Sequence, residues 1–223
     1  MLPPRRRNDK TRASRRSAAP FRCRLVVIAK APVAGRAKSR LARQIGVAQA
    51  TRFARQSAAA LLGRVSRDPR WRTIVAVTPD VATATGRFWP RGMARLPQGC
   101  GDLGRRMQRL MDRLLPGPVV IVGTDVPGIR PVHIAAAFRA LGRHDAVFGP
   151  AADGGYWLVG LRRRPHVLQA FANVRWSTPH ALADTLANFE GRTVAFVATR
   201  ADVDDASGFA GTAGTFARRV PPR

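Results

Sequence analysis

Six short apolar or β-branched runs, at residues 24–29, 73–78, 119–124, 145–148, 155–160 and 193–198, alternate along this chain with segments of helical periodicity. Gly, Pro or Asp bounds each run, as expected where strands end. The clearest helical segment is 102–115, with Leu103, Met107, Leu110, Met111 and Leu114 at helical spacing, and Ile134, Phe138 and Leu141, then Leu182, Leu186 and Phe189, repeat the signal. These stripes read as core. Strands that alternate with helices predict a largely parallel sheet covered on both faces, and such sheets bind ligands in the crevice beyond the C-terminal ends of their strands. With 223 residues, 45% of them hydrophobic, the chain has enough apolar surface for one α/β domain, expected over 21–223. No internal repeat or interdomain linker interrupts it.

The net charge is +26, which raises the question of a nucleic-acid partner. Residues 1–20 hold seven basic residues against the single acid Asp9, and they read as a disordered basic extension. The remaining excess is spread along the chain. No aromatic platform is interleaved with the basic clusters, and no recognition-helix, finger or RNP-type pattern occurs, so no specific nucleic-acid partner is expected. Most of the arginine reads as solvated surface, with small anionic substrates as the main beneficiary. The first twenty residues lack an apolar h-region and no run is long enough to span a bilayer, which predicts a cytoplasmic protein with no membrane partner. Cys23 and Cys100 have neither CxxC spacing nor metal-partner spacing and read as reduced, structural thiols. His133, His144, His166 and His180 share no metal-ligand spacing, and no GxSxG elbow occurs, which argues against zinc and serine-hydrolase chemistry.

Only three of the 39 basic residues are lysines, and two of them, Lys30 and Lys38, flank one loop-like segment, KAPVAGRAKSRL. A lysine ammonium is a compact point charge on a flexible stem, suited to a phosphate oxygen. The segment follows an apolar run and precedes a helical pattern, the strand, loop and helix arrangement used to hold phosphates. A solvated basic loop is the alternative.

Several of the 13 acidic residues fall where a crevice is expected. The run Val119–Val122 leads into Gly123-Thr124-Asp125, placing Asp125 at a strand end. There it could hold Mg²⁺ or Mn²⁺, hard cations that prefer oxygen ligands, or it could serve as a cap or Asx turn; position favours the metal. In GPAADGGYWL, the glycines after Asp153 would let backbone approach a ligand, although DGG is also a hairpin-turn signal. Gln98-Gly99-Cys100-Gly101-Asp102 precedes the strongest helix, so Asp102 is either its N-cap or part of a loop facing a nucleotide. Asp202-Val203-Asp204-Asp205 follows the last strand, as a source of a second metal carboxylate or as an acidic turn.

Taken in order, the segments KAPVAGRAKSRL, QGCGDLGRRM, VVIVGTDVPG, GPAADGGYWLVGL, RWST and DVDD resemble the DUF2064 family over roughly residues 22–205. These are transferase-like proteins of the GT-A (nucleotide-diphospho-sugar transferase) superfamily, similar to the F420-pathway 2-phospholactate guanylyltransferases. The resemblance implies a three-layer α/β/α, mixed but mostly parallel sheet with one reversed strand, a nucleotide over the first strand–loop–helix, and a divalent metal. Carried over by residue, Lys30, Gly35, Arg36, Lys38 and Arg40 match the phosphate-binding loop, with Gly101 and Asp102 on the nucleotide side. Asp125 resembles the metal aspartate, and Asp153, Gly154 and Gly155 match the acceptor-side loop. Asp204 matches an Asp of a D-x-D-T-P-E-D stretch that this chain otherwise breaks: Asp205 stands for Thr, Ala206 for Pro and Gly208 for the final Asp.

The expected function is therefore a metal-dependent transferase using a nucleotide-activated donor, with Lys38, Asp125 and Asp153 as catalytic candidates. A glycosyltransferase-like reaction comes first; the absence of a G-G-x-G-T-R loop agrees with it. Nucleotidyl transfer from an NTP to a small phosphorylated acceptor, releasing pyrophosphate, is the second reading, kept open by KSRL and DGG. A non-catalytic polyanion-binding protein on a degenerate transferase fold is the third.

Overall fold

The apolar runs pair as expected, and the order in which they pair creates the site. In a computed structural model that describes residues 21–85, 88–201 and 209, seven strands form one sheet: β1 (Arg24–Lys30), β2 (Arg72–Thr78), β3 (Ala94–Pro97), β4 (Val119–Val122), β5 (Ala146–Pro150), β6 (Tyr156–Leu161) and β7 (Val194–Phe196). Their order is β3-β2-β1-β4-β6-β5-β7. All neighbouring pairs are parallel except those of β6, which runs antiparallel to both β4 and β5. This is the mixed, mostly parallel sheet with one reversed strand that the GT-A resemblance implies.

Side-chain alternation divides the core between the two faces. Leu25, Val27 and Ala29 of β1 pack with α2 (Val47–Val65) and α5 (Pro131–Ala140). Val26 faces the other way, toward Met107, Leu110 and Met111 of α4 (Leu103–Arg113) and Phe189 beyond α6 (Ala181–Ala187). All four residues of β4 are buried, so its uninterrupted VVIV lies between two helical layers. Two short helices, α1 (Ser39–Ile45) and α3 (Ala82–Thr85), complete the described elements, and Gly46 at φ 85° separates α1 from α2. Among the described residues, no helix is long and apolar enough to cross a membrane. Residues 1–20 and the Asp202–Asp205 acidic stretch lie outside the described residues.

Topology explains where the crevice falls. From β1 the chain moves to β2 on one side of the sheet, and later places β4 on the other, so β1 and β4 are neighbours whose following loops diverge. Reversal of β6 brings its N-terminal end, and the 151–155 turn before it, to this same side.

The loop before α4 is held by the protein itself. Asp102 accepts a hydrogen bond from the Arg105 amide at 2.8 Å and is the N-cap of α4. Arg109 donates to the carbonyls of Gln98 at 2.7 Å and Cys100 at 3.0 Å, and Arg106 donates to Gly101 at 2.7 Å. Buried Gln98 in turn donates to the carbonyls of Ala29 and Ala76, fastening the loop to β1 and β2. The expected result for Asp102→Ala is a stability loss of about 1 kcal/mol, the value of an N-cap, with Asp102→Ser near parental. Urea denaturation measures it. A parental midpoint for the alanine variant would contradict the cap.

Candidate active site

A cleft of about 660 Å³ opens at the C-terminal ends of β1 and β4, between α4, the start of β6 and the segment 176–181. Ile28 and Ile121 contribute to its apolar lining, and Lys38, Ser39, Arg40, Asp125 and Asp153 contribute polar groups. One lysine of the KAPVAGRAKSRL segment and the strand-end aspartate therefore meet, although 87 residues apart in sequence. Lys38 Nζ lies 3.1 Å from Asp125 Oδ2. The lysine side chain is 9% exposed and that of the aspartate 49%, so the carboxylate faces open space while the ammonium is largely covered.

Backbone geometry directs both groups. Lys38 caps α1 with φ 51° and ψ 50°, a left-handed conformation that costs a non-glycine residue about 1–2 kcal/mol. Its carbonyl still accepts from the Ala42 amide at 2.8 Å, so the helix starts while the side chain turns toward the cleft. Asp125 lies three residues beyond the end of β4, after Gly123 and Thr124, and its Oδ1 accepts from the Thr124 hydroxyl at 3.3 Å. Ser57 of α2 donates to the Thr124 carbonyl, pinning this turn to the helical layer.

The 151–155 turn supplies the opposite wall. Asp153 Oδ1 accepts from the Gly155 amide at 2.9 Å, and both residues line the cleft. Gly154 lies behind, at φ 85°, where an added Cβ would come 2.2 Å from the Pro179 carbonyl oxygen. Glycine is required there for close approach to the segment 176–181. That segment is clamped: Arg175 donates to Asp184 from Nε and Nη2, both at 2.8 Å, and from its amide at 2.9 Å. The Arg175 hydrogen bonds hold the Asp184 carboxyl well below the usual carboxylate range. Because the folded value is lowered, the clamp's contribution is full above the ordinary carboxylate pKa and is lost progressively as pH falls from there through the lowered value.

Not every expected residue reaches the cleft wall. Lys30 at the end of β1, and Gly35 and Arg36 on the β1–α1 connection, are exposed outside the lining, and Gly101 and Asp102 lie before α4, engaged as described above. Asp204 lies outside the described residues. In the other direction, the cleft includes Tyr156, Trp176, Ser177 and Thr178, to which the motifs assigned no role. Burial pushes the Tyr156 phenol strongly upward, so it stays protonated at neutral pH. Ser177 has φ 62°; of the four described non-glycine residues at positive φ, Lys38 and Ser177 both line the cleft, and strain of this kind concentrates at functional sites.

The fit for a metal can be judged from this donor set. Among the described residues no group of three or more His, Cys, Asp or Glu could form a metal cage. Asp125 offers an exposed carboxylate, with Asp153 in the same cleft. One or two carboxylates suit a hard cation that keeps several waters and is completed by substrate phosphates.

No curated protein sequence matches the chain. Among solved structures, a protein from Desulfovibrio desulfuricans G20 described as a nucleotide-diphospho-sugar transferase superposes with a TM-score of 0.81 at 24% identity, covering 89% of both chains. A cytidylyltransferase from Leptospira borgpetersenii gives 0.59 at 12% identity, covering 91% of this chain and 89% of that one. CMP:2-keto-3-deoxy-manno-octonic acid synthetase complexed with CTP gives 0.56 at 13%, covering 90% and 100%. At these identities the likeness shows the fold alone: the mixed, mostly parallel α/β sheet is shared with these proteins. The sequence profile of the family described as "Uncharacterized protein conserved in bacteria (DUF2064)" matches residues 59–178, a span from α2 to Thr178 that includes Asp125, Asp153 and Trp176. With more than half of its length matched, this chain belongs to the DUF2064 family.

Proposed function

We propose that this protein is a metal-dependent transferase acting on a nucleotide-activated donor, most simply a nucleotide sugar, with a small-molecule acceptor. The observation that carries the reading is the Lys38–Asp125 pair in a cleft at the ends of β1 and β4. A covered ammonium beside an exposed carboxylate can serve a diphosphate and its counter-ion together. Asp125 would hold the Mg²⁺ or Mn²⁺, with Asp204 as the second candidate ligand; when bound, such an ion neutralises charge on the departing phosphates.

The protein's own residues do the positioning. Lys38, helped by Arg40 in the same cleft, neutralises the donor's phosphates, while Gly35 lets the loop between β1 and α1 turn at φ 73°. In glycosyl transfer the acceptor hydroxyl oxygen bonds to the anomeric carbon, and the carbon–oxygen bond to phosphate breaks. Its electron pair leaves with the nucleoside diphosphate, and the hydroxyl proton passes to Asp153. The description of the Desulfovibrio protein supports this transfer. Nucleotidyl transfer, supported by KSRL, by the name of the Leptospira cytidylyltransferase and by the CTP of the octonic acid synthetase complex, would instead break the α–β phosphate bond of an NTP. The products separate the two. Nucleoside diphosphate release from a nucleotide sugar supports the first, and pyrophosphate release from an NTP overturns it in favour of the second.

For Lys38→Ala, nucleotide affinity measured by calorimetry is expected to fall by about 1–3 kcal/mol, the scale of a charge-assisted hydrogen bond, with the melting temperature nearly unchanged. Unchanged affinity would remove Lys38 from the site.

A further inference from the structure

We propose that the acceptor is an uncharged, ring-bearing alcohol of the sugar or cyclitol kind, and not a phosphorylated or carboxylated compound. The inference rests on the transferase reading above and concerns the acceptor half of the same cleft. Charge is unevenly divided there. Lys38 and Arg40 come from the β1–α1 side, where the donor's phosphates would lie, whereas the facing 151–155 turn brings the carboxylate of Asp153. A phosphorylated acceptor would set its own negative charge against the exposed carboxylate of Asp153, and like charges at close range repel.

Next to Asp153 the wall is aromatic and hydroxylated. The rings of Tyr156 and Trp176 meet edge to face, with centroids 6.3 Å apart. Trp176 is wedged against α4 at Gly104, where an added Cβ would come within 2.8 Å of the indole. The Arg175–Asp184 clamp fixes the backbone just before it. The indole is therefore a rigid surface presented at little entropic cost, and Ser177, in its left-handed conformation, adds an exposed hydroxyl beside it. A sugar-like ring has one chemistry to match each part: an apolar face of C–H groups for an aromatic surface, and hydroxyls that donate to a carboxylate and exchange hydrogen bonds with a serine. Tyr156 and Thr185 Oγ1, 3.4 Å apart, tie the aromatic pair back to α6.

Acceptor binding can be read without knowing the donor. Saturation-transfer NMR and calorimetry on the full chain with Mn²⁺ would compare myo-inositol and methyl glucoside with inositol 1-phosphate and glucose 6-phosphate. The neutral probes are expected to bind at least about tenfold more tightly than their phosphorylated counterparts, the effect of one uncompensated like charge. Asp153→Asn should narrow that gap, and Trp176→Ala should abolish binding of the neutral probes while leaving nucleotide-induced thermal stabilisation in place. Tighter or equal binding of the phosphorylated probes, or no binding of the neutral ones, overturns the inference. Thermal stabilisation by UDP-glucose or GDP-mannose with Mn²⁺, measured in parallel, tests the donor site separately. If those nucleotides stabilise while the acceptor preference fails, the transferase reading stands alone; if no nucleotide stabilises, both fall.

Discussion

Asp125→Asn is expected to lower kcat/KM by about a thousandfold, since the charge stabilisation at stake amounts to several kcal/mol. The substitution keeps the shape of the side chain and its contact with the Thr124 hydroxyl, and removes only the charge. Stability should barely change. The carboxylate is half exposed and the asparagine Oδ1 can still accept from the largely covered Lys38 ammonium, so the substitution leaves that cation with a partner. Steady-state kinetics beside urea denaturation would check both halves. Parental turnover would remove Asp125 from the chemistry, and a collapse in stability would make its role structural.

Gly154→Ala should be the most damaging single methyl group in the site. Its Cβ would lie 2.2 Å from the Pro179 carbonyl oxygen and 2.7 Å from Pro179 Cα, and both are backbone atoms that cannot rotate away. Left-handed backbone adds about 1–2 kcal/mol and overpacking about 1–3 kcal/mol, for an expected loss of about 2–5 kcal/mol. Activity should fall with it, because the turn carrying Asp153 and the segment carrying Trp176 must separate. Gly35 is the internal control: at φ 73°, with no atom within 4 Å of its Cβ position, Gly35→Ala should cost only the backbone term. Equal losses at the two positions, measured by urea denaturation, would show that the Pro179 contact is not what demands glycine.

Much of this architecture was readable from the chain because burial leaves a pattern. The runs at 24–29, 73–78 and 119–124 became β1, β2 and β4, since strands covered on both faces must be apolar throughout. β3 left no such trace. Ala94–Pro97 is a four-residue edge strand with a proline at its end, only partly buried at alternate positions, and pairing with β2 is what makes it a strand. The reversal of β6 was legible only through the family resemblance, because Tyr156–Leu161 reads equally well in either direction.

In the site, Lys38 and Asp125 stood out through rarity and position. Asp102 carried two readings, and the structure gives it the capping role. Tyr156 and Trp176 were hidden for a physical reason: an aromatic residue in an α/β chain is ordinarily core, and only the three-dimensional course of the 151–155 and 176–181 segments turns these two toward a cleft. The left-handed backbone at Ser177 has no sequence signature of the kind that glycine provides.

The proposed function requires the cleft to bind a nucleotide's phosphates through Lys38 together with a divalent ion on Asp125. It is tested most directly by thermal melting of the parent protein and of Asp125→Asn with a panel of NTPs and nucleotide sugars, each with and without Mn²⁺. Ligand that binds only the native state raises the melting temperature in proportion to its occupancy. At least one nucleotide is expected to stabilise the parent only when Mn²⁺ is present, and this stabilisation should disappear in Asp125→Asn. Metal-independent stabilisation, equal stabilisation of both proteins, or none by any nucleotide would contradict it.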